Sequence, residues 1–179
     1  DQSYAADLGA GDDVFSMFVL PDDRDGAPAG IQPCIRVSVQ GGDGGDMFDV
    51  TIGSRNPPER DATLPGLNLG LDLTFDGGNG NDSFSDVIAN LALTDPLEPI
   101  RLSEMGGNGD DSLMMSVFNV FMGEGTMLDA SQAGGNGNDV LMSHFDGEIS
   151  ARAVMHFMAD GGRGNDAVTG EIQPCVLPG

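Results

Sequence analysis

Gly134-Gly-Asn-Gly-Asn-Asp139, with Val140-Leu141 directly after it, is the stretch on which the reading of this chain turns. The hexad recurs as Gly77-Gly-Asn-Gly-Asn-Asp82, Gly106-Gly-Asn-Gly-Asp-Asp111 and Gly161-Gly-Arg-Gly-Asn-Asp166. Looser copies are Leu8-Gly-Ala-Gly-Asp-Asp13 and Gly41-Gly-Asp-Gly-Gly-Asp46. Two places after each terminal Asp stands an apolar residue: Phe15, Phe48, Phe84, Leu113, Leu141 and Val168. Glycine at the first, second and fourth places opens backbone angles closed to other residues. Asn at the third and fifth places tolerates left-handed conformations.

The copies start at residues 8, 41, 77, 106, 134 and 161. A repeat of this length means one supersecondary unit used many times, so residues 1–179 are expected to form one repeat domain. Each unit has the same grammar of turn, strand, break, strand. Strands are legible by alternation. Leu67, Leu69, Leu71, Leu73 and Phe75 share one face, as do Ile149, Ala151, Ala153, Met155, Phe157 and Ala159. Phe48, Val50 and Ile52 form a shorter run, and 113–122 is apolar on both faces. Asn90-Leu-Ala-Leu93 has some helical character, but strand is the better reading. The breaks are long and Pro-rich at 21–30, 53–66 and 95–99, then shrink to Gly123-Glu-Gly125 and Gly147-Glu148. A fixed turn on one edge and variable inserts on the other is the habit of stacked repeats. The expected fold is all-β: a parallel solenoid of about six coils. The alternative is an antiparallel meander or sandwich.

The chemistry of the turn suits a hard cation. Calcium takes about 6–8 oxygen ligands, more than one turn supplies, so two stacked turns must share each ion. At these turns the chain resembles the repeats-in-toxin family of glycine-rich calcium-binding proteins. That resemblance covers the six hexads and their apolar followers, roughly a third of the chain. It implies a parallel β-roll in which carbonyls and the motif Asp coordinate calcium. Carried over by position, the carboxylates are Asp13, Asp46, Asp82, Asp111, Asp139 and Asp166. The glycines are Gly42, Gly44, Gly78, Gly80, Gly107, Gly109, Gly135, Gly137, Gly162 and Gly164. The amides are Asn79, Asn81, Asn108, Asn136, Asn138 and Asn165. Family repeats run back to back, whereas long segments intervene here, so turns should stack along one edge only, with a metal-free edge opposite. If each neighbouring pair holds one ion, the chain takes up on the order of five calcium ions.

Composition narrows the function classes. There are 29 acidic residues against seven basic ones, and the net charge is -22. Nucleic acid and anionic membrane surfaces are therefore not expected partners. Self-repulsion at this charge favours cation binding over a bare compact state. No apolar run is long enough to insert in a membrane as a helix. Nucleophile-elbow, phosphate-loop and zinc-protease motifs are missing. Pro21 and Gln32 spoil the resemblance of Asp22-Asp-Arg-Asp-Gly26 to a helix–loop–helix calcium loop. His144 and His156 fall on separate strands, so catalysis is not expected.

Two cysteines, Cys34 and Cys175, sit in the matching segments Ile31-Gln-Pro-Cys34 and Ile172-Gln-Pro-Cys175, expected at equivalent places in the first and last units. In a solenoid those units lie roughly 24 Å apart at about 4.8 Å per coil, whereas a disulfide needs Cα atoms within about 7 Å. A bond between chains is thus favoured over one within a chain or free thiols. Head-to-tail contacts of this kind build open filaments. Cysteine usage and calcium together suggest a secreted or cell-surface setting. The expected function is a calcium-binding structural protein that assembles with itself into an extracellular filament, matrix or surface layer. The alternative is a calcium-dependent secretion or targeting module of a larger exported enzyme or adhesin.

Overall fold

The computed structural model describes residues 2–20, 34–54, 64–67, 69–94 and 99–176. Most of the three Pro-rich breaks named above lies outside the described residues. Within them the chain is all strand: β1 (Gln2–Ala10), β2 (Val14–Val19), β3 (Cys34–Asp43), β4 (Met47–Gly53), β5 (Gly66–Leu67), β6 (Gly70–Asn79), β7 (Ser83–Leu93), β8 (Ile100–Asn108), β9 (Ser112–Met122), β10 (Met127–Asn136), β11 (Val140–Ile149), β12 (Val154–Arg163) and β13 (Ala167–Val176).

Each glycine-rich turn joins a strand of one sheet to a strand of the other. One sheet runs β1-β3-β6-β8-β10-β12 and the other β13-β11-β9-β7-β4-β2, with β5 added beside β7. Every pairing is parallel. The molecule is therefore a parallel β-solenoid, six strand–turn–strand units stacked in register, and the antiparallel alternative is excluded. Parallel neighbours need a crossover, and the return segments supply it on the insert edge.

Register does the sorting of side chains. The apolar followers of the turns form one column, Phe15, Phe48, Phe84, Leu113, Leu141 and Val168. Four of them, Phe48 through Leu141, are fully buried. Phe48 and Phe84 stack face to face with centroids 4.5 Å apart, and Phe15 and Phe75 tilt against Phe48. Two facing inward ranks of this sort make the core.

Two strands expected to be continuous are broken at corners. Leu67 belongs to β5 and pairs with β7 in one sheet, whereas Leu71, Leu73 and Phe75 lie on β6 in the other. Likewise Ile149 ends β11, a turn follows, and Met155 and Phe157 lie on β12. Alternation continues through such a corner because the apolar side chains face one interior on both sides of it. The expected strand at 113–122 exists as β9, and its two-faced apolarity has a cause. Asn119 takes a left-handed φ of 50°, and Asn90 of β7 does so at 54°. Each shifts the alternation by one, so Val120 and Met122 turn inward after Leu113, Met115 and Val117. The helical hint at Asn90 was this residue's left-handed bend. Asn119 Nδ2 donates to Asn90 Oδ1 at 2.7 Å, and Asn90 Nδ2 donates to the Ser54 carbonyl.

Replacing Asn119 tests this corner. Asn119→Ala loses both the ladder bond and a residue suited to left-handed backbone, and should cost about 2 kcal/mol. Asn119→Gly keeps the backbone freedom and should cost about 1 kcal/mol or less. Urea denaturation of the three proteins gives the order.

Candidate cation site at the stacked turns

The six turns lie over one another on one edge, and three features recurring along the hexads lock that stack. The first is the terminal Asp. Its Oδ1 accepts the backbone N–H of the Asp one unit earlier: Asp13 to Asp46, Asp46 to Asp82, Asp82 to Asp111, Asp111 to Asp139 and Asp139 to Asp166, at 2.7–3.0 Å. The second is a pair of amide columns. Asn79, Asn108 and Asn136 each donate Nδ2 one unit back, to Asp43, Asn79 and Asn108. At the fifth place, Asp12, Asn81, Asp110 and Asn138 each accept the backbone N–H one unit on. The third is the backbone ladder, in which the fourth glycine's N–H donates to the next unit's third-place carbonyl, as from Gly44 to Asn79.

The glycines have two different reasons. Only the second and fourth places carry positive φ, for example 107° at Gly107 and 140° at Gly109. There a Cβ would also strike the matching carbonyl of the unit below, 2.2 Å from Gly78 O and 1.7 Å from Gly80 O. The first place is glycine for space rather than for backbone angle. A Cβ on Gly106 would lie 2.3 Å from its own turn's Asp111 Oδ2 and 2.6 Å from Gly134 O. The expectation that turn Asn residues serve as left-handed positions is corrected: positive-φ non-glycine residues in the described chain are Asn90, Asn119 and Arg152. The turn Asn side chains are spent on hydrogen bonds between units instead.

What remains unspent is the other carboxylate oxygen. Asp46, Asp82, Asp111 and Asp139 are at most 2% exposed. Their Oδ2 atoms, and that of Asp13, are buried with no hydrogen-bond partner. Burial pushes the Asp111 carboxyl up to about 6, against the pull of its backbone hydrogen bond, and neighbouring carboxylates push the same way. Asp82 and Asp139 are raised for the same first cause, desolvation. A buried, unpartnered anionic oxygen is costly, and here the cost recurs once per unit. Beside each Oδ2 stands the first-place carbonyl of the next unit, as Gly134 O does for Asp111, while the second- and fourth-place carbonyls point at the matching glycines of the turn above. Among the described residues no three carboxylate, imidazole or thiol side chains gather at one point. A cation here would be held by carbonyl oxygens with few carboxylates, which is a donor set for calcium rather than for a soft metal.

The turns are not all alike. Leu8 stands at the first place of the first turn and packs on the core, so its side chain takes the place kept clear in the other units. Asp166 closes the last turn and accepts from Asp139. His144 and His156 lie in opposite sheets, and His144 faces Glu171 at 3.5 Å on the surface. Cys34 opens β3 and is unpaired; Cys175 lies on β13 beside Glu148. They belong to different sheets, so the expected equivalence of their two segments is not found. Four coil spacings between them, roughly 19 Å, put a bond within one chain out of reach.

Fold and turns together define a parallel β-solenoid with one carboxylate-lined edge. Compared with family models, curated proteins and solved structures, the chain matches none.

Two outcomes test the geometry. Gly106→Ala should cost about 3 kcal/mol, because backbone as well as carboxylate must move, while Gly170→Ala, whose Cβ meets nothing within 4 Å, should stay within about 0.5 kcal/mol of the parent. Without cations the raised folded-state carboxyls make the chain lose stability as pH rises from about 4 through about 6. With a bound divalent cation the sign reverses, and stability rises with pH over that window. Thermal melts in chelator and in calcium show the two slopes.

Proposed function

We propose that this chain is a calcium-binding structural solenoid, secreted and without catalytic activity, that stacks end to end on copies of itself. The observation that carries the reading is the column of buried carboxylate oxygens without partners at Asp13, Asp46, Asp82, Asp111 and Asp139. Calcium between successive turns would pair each of them and would supply part of the cation that a net charge of -22 calls for. The candidate ligands are these aspartates with the carbonyls of Gly42, Gly44, Gly78, Gly80, Gly107, Gly109, Gly135 and Gly137. The gaps above Asp46, Asp82, Asp111 and Asp139 are built alike; the gap above Asp13 bears Leu8 and should bind more weakly. Because ions of this kind bind the folded stack and not the unfolded chain, uptake and folding are linked.

Support for self-assembly comes from the outer units. The inward column that is buried at Phe145 continues to Ile172, which is 54% exposed. At the other end Phe15, Met17 and Val19 are only partly covered. A second copy in the same register would cover both ranks, carry the Asp ladder from Asp166 to the next Asp13, and hide unpaired strand edges. In that stack Cys175 and the next copy's Cys34 fall two units apart, about 10 Å. At that spacing the joint rests first on the turn ladder and the apolar columns, and a Cys175–Cys34 bond between copies needs the chain ends to shift.

Calorimetric titration of chelated protein with calcium should give about four strong sites per chain, with a gain of β signal in circular dichroism. Asp111→Asn should remove at least one. No heat and no spectral change would discard the calcium reading. Negative-stain microscopy should show fibres in calcium that disperse in chelator; calcium-loaded single particles would discard the assembly and leave the binding.

A further inference from the structure

The solenoid interior holds a second set of carboxylates, away from the turns. Asp86 of β7 and Glu104 of β8 belong to adjacent units and opposite sheets, and each is 1% exposed. Register puts Asp86 in the inward column between Val50 and Met115, and Glu104 between Phe75 and Gln132. Glu104 Oε2 accepts from Gln132 Nε2 at 2.8 Å, and Gln132 Oε1 accepts from Ser143 Oγ at 2.7 Å. Glu104 Oε1 and both Asp86 oxygens are buried without a well-formed hydrogen bond, the nearest donor to Asp86 being the Val50 backbone N–H. Register gives them the inward positions that Ser143 and Gln132 hold in the fifth unit, where a hydrogen bond joins the two, so the carboxyl groups of Asp86 and Glu104 face each other across the core from adjacent units.

We propose that Asp86 and Glu104 share one proton inside the core, and that this proton makes the middle of the solenoid sensitive to alkaline pH. Two bare carboxylates facing each other in the core repel, and among the described residues no cationic group pairs with either of them. The inward groups packed on the pair are Val50 of β4, Phe75 of β6, Met115 of β9, Gln132 of β10 and Ser143 of β11, all uncharged. Asp49, facing outward from β4, adds a repelling charge. A proton relieves that repulsion without a further ligand having to enter the core. It resides on Asp86. Burial pushes that carboxyl well up and Glu104 pushes further, against a smaller downward pull from the Val50 backbone N–H. Burial raises Glu104 too, but its bonds from Asp86 and Gln132 pull it back. The donors thus run Ser143 to Gln132 to Glu104 from one side and Asp86 to Glu104 from the other, converging on one anion.

The sign follows from linkage. The folded-state affinity for the proton exceeds that of the unfolded chain, so the pair's contribution is complete in acid and is lost as pH rises through the folded value. Deprotonating Asp86 would place a second charge at the centre of units three to five. The cation-loaded turns respond the opposite way, so the two carboxylate sets would bound the stable pH range from both sides.

Asp86→Asn keeps the shape and the donor while removing the titration. Its Tm minus that of the parent should grow between pH 5 and pH 9, by roughly 5–10 °C, in calcium and in chelator alike. A difference that stays constant with pH overturns the proposal, whether positive or negative. Should that variant not fold, Glu104→Gln must show the same widening. In the parent protein, the Asp86 carboxyl carbon followed by NMR should keep its protonated shift at pH 7. A titration step near pH 4 overturns the proposal independently of either variant.

Discussion

Everything in this solenoid hangs on a backbone N–H of one turn donating to the carboxylate of the next. That bond fixes the turns one coil apart and in register, and it is charge-assisted, worth about 1.5–3 kcal/mol each. It also creates a debt. Carboxylates about 4.8 Å apart repel their neighbours by roughly 3.5 kcal/mol per pair at an effective dielectric of about 20. Gain and repulsion are of the same size, so the bare stack gains little net stability from its own turns. Burial first, and the neighbouring carboxylates after it, push Asp111 up, so protonation relieves the stack in acid. A divalent cation removes the repulsion at neutral pH without giving up the hydrogen bond. On this balance the account of function rests.

The same bond explains why the hexad tolerates so little change. Once the Asp reaches the preceding unit, its second oxygen falls where a side chain at the first place would begin, and glycine is required there. Carbonyls at the second and fourth places then point at the unit above, and glycine is required again. Inserts meet no such demand. They leave from the opposite edge, which explains how units of 27 to 36 residues share one register.

Much of this was legible in the chain. Six hexads with a fixed apolar follower point to a parallel stack with an inward column, and the pairing of the strands removes the antiparallel alternative. Alternation does not reveal the corners, because Leu67 with Leu71 and Ile149 with Met155 keep the same phase across a change of sheet. The Asn roles were misread because a left-handed residue and a side-chain ladder favour the same amino acid. Only the unit-to-unit geometry separates Asn119, which bends, from Asn108, which bridges. The acid pair Asp86 and Glu104 left no sequence signal at all. In so acidic a chain two more carboxylates are ordinary, and only the pairing of β6 with β8 and of β7 with β9 turns both inward and brings them together.

The most direct measurement is anomalous diffraction from crystals grown in calcium. A peak in each of the four gaps above Asp46, Asp82, Asp111 and Asp139, within coordinating distance of the Oδ2 atom there, is the expected result. Density there that is only water, with those oxygens still buried and unpaired, would contradict it.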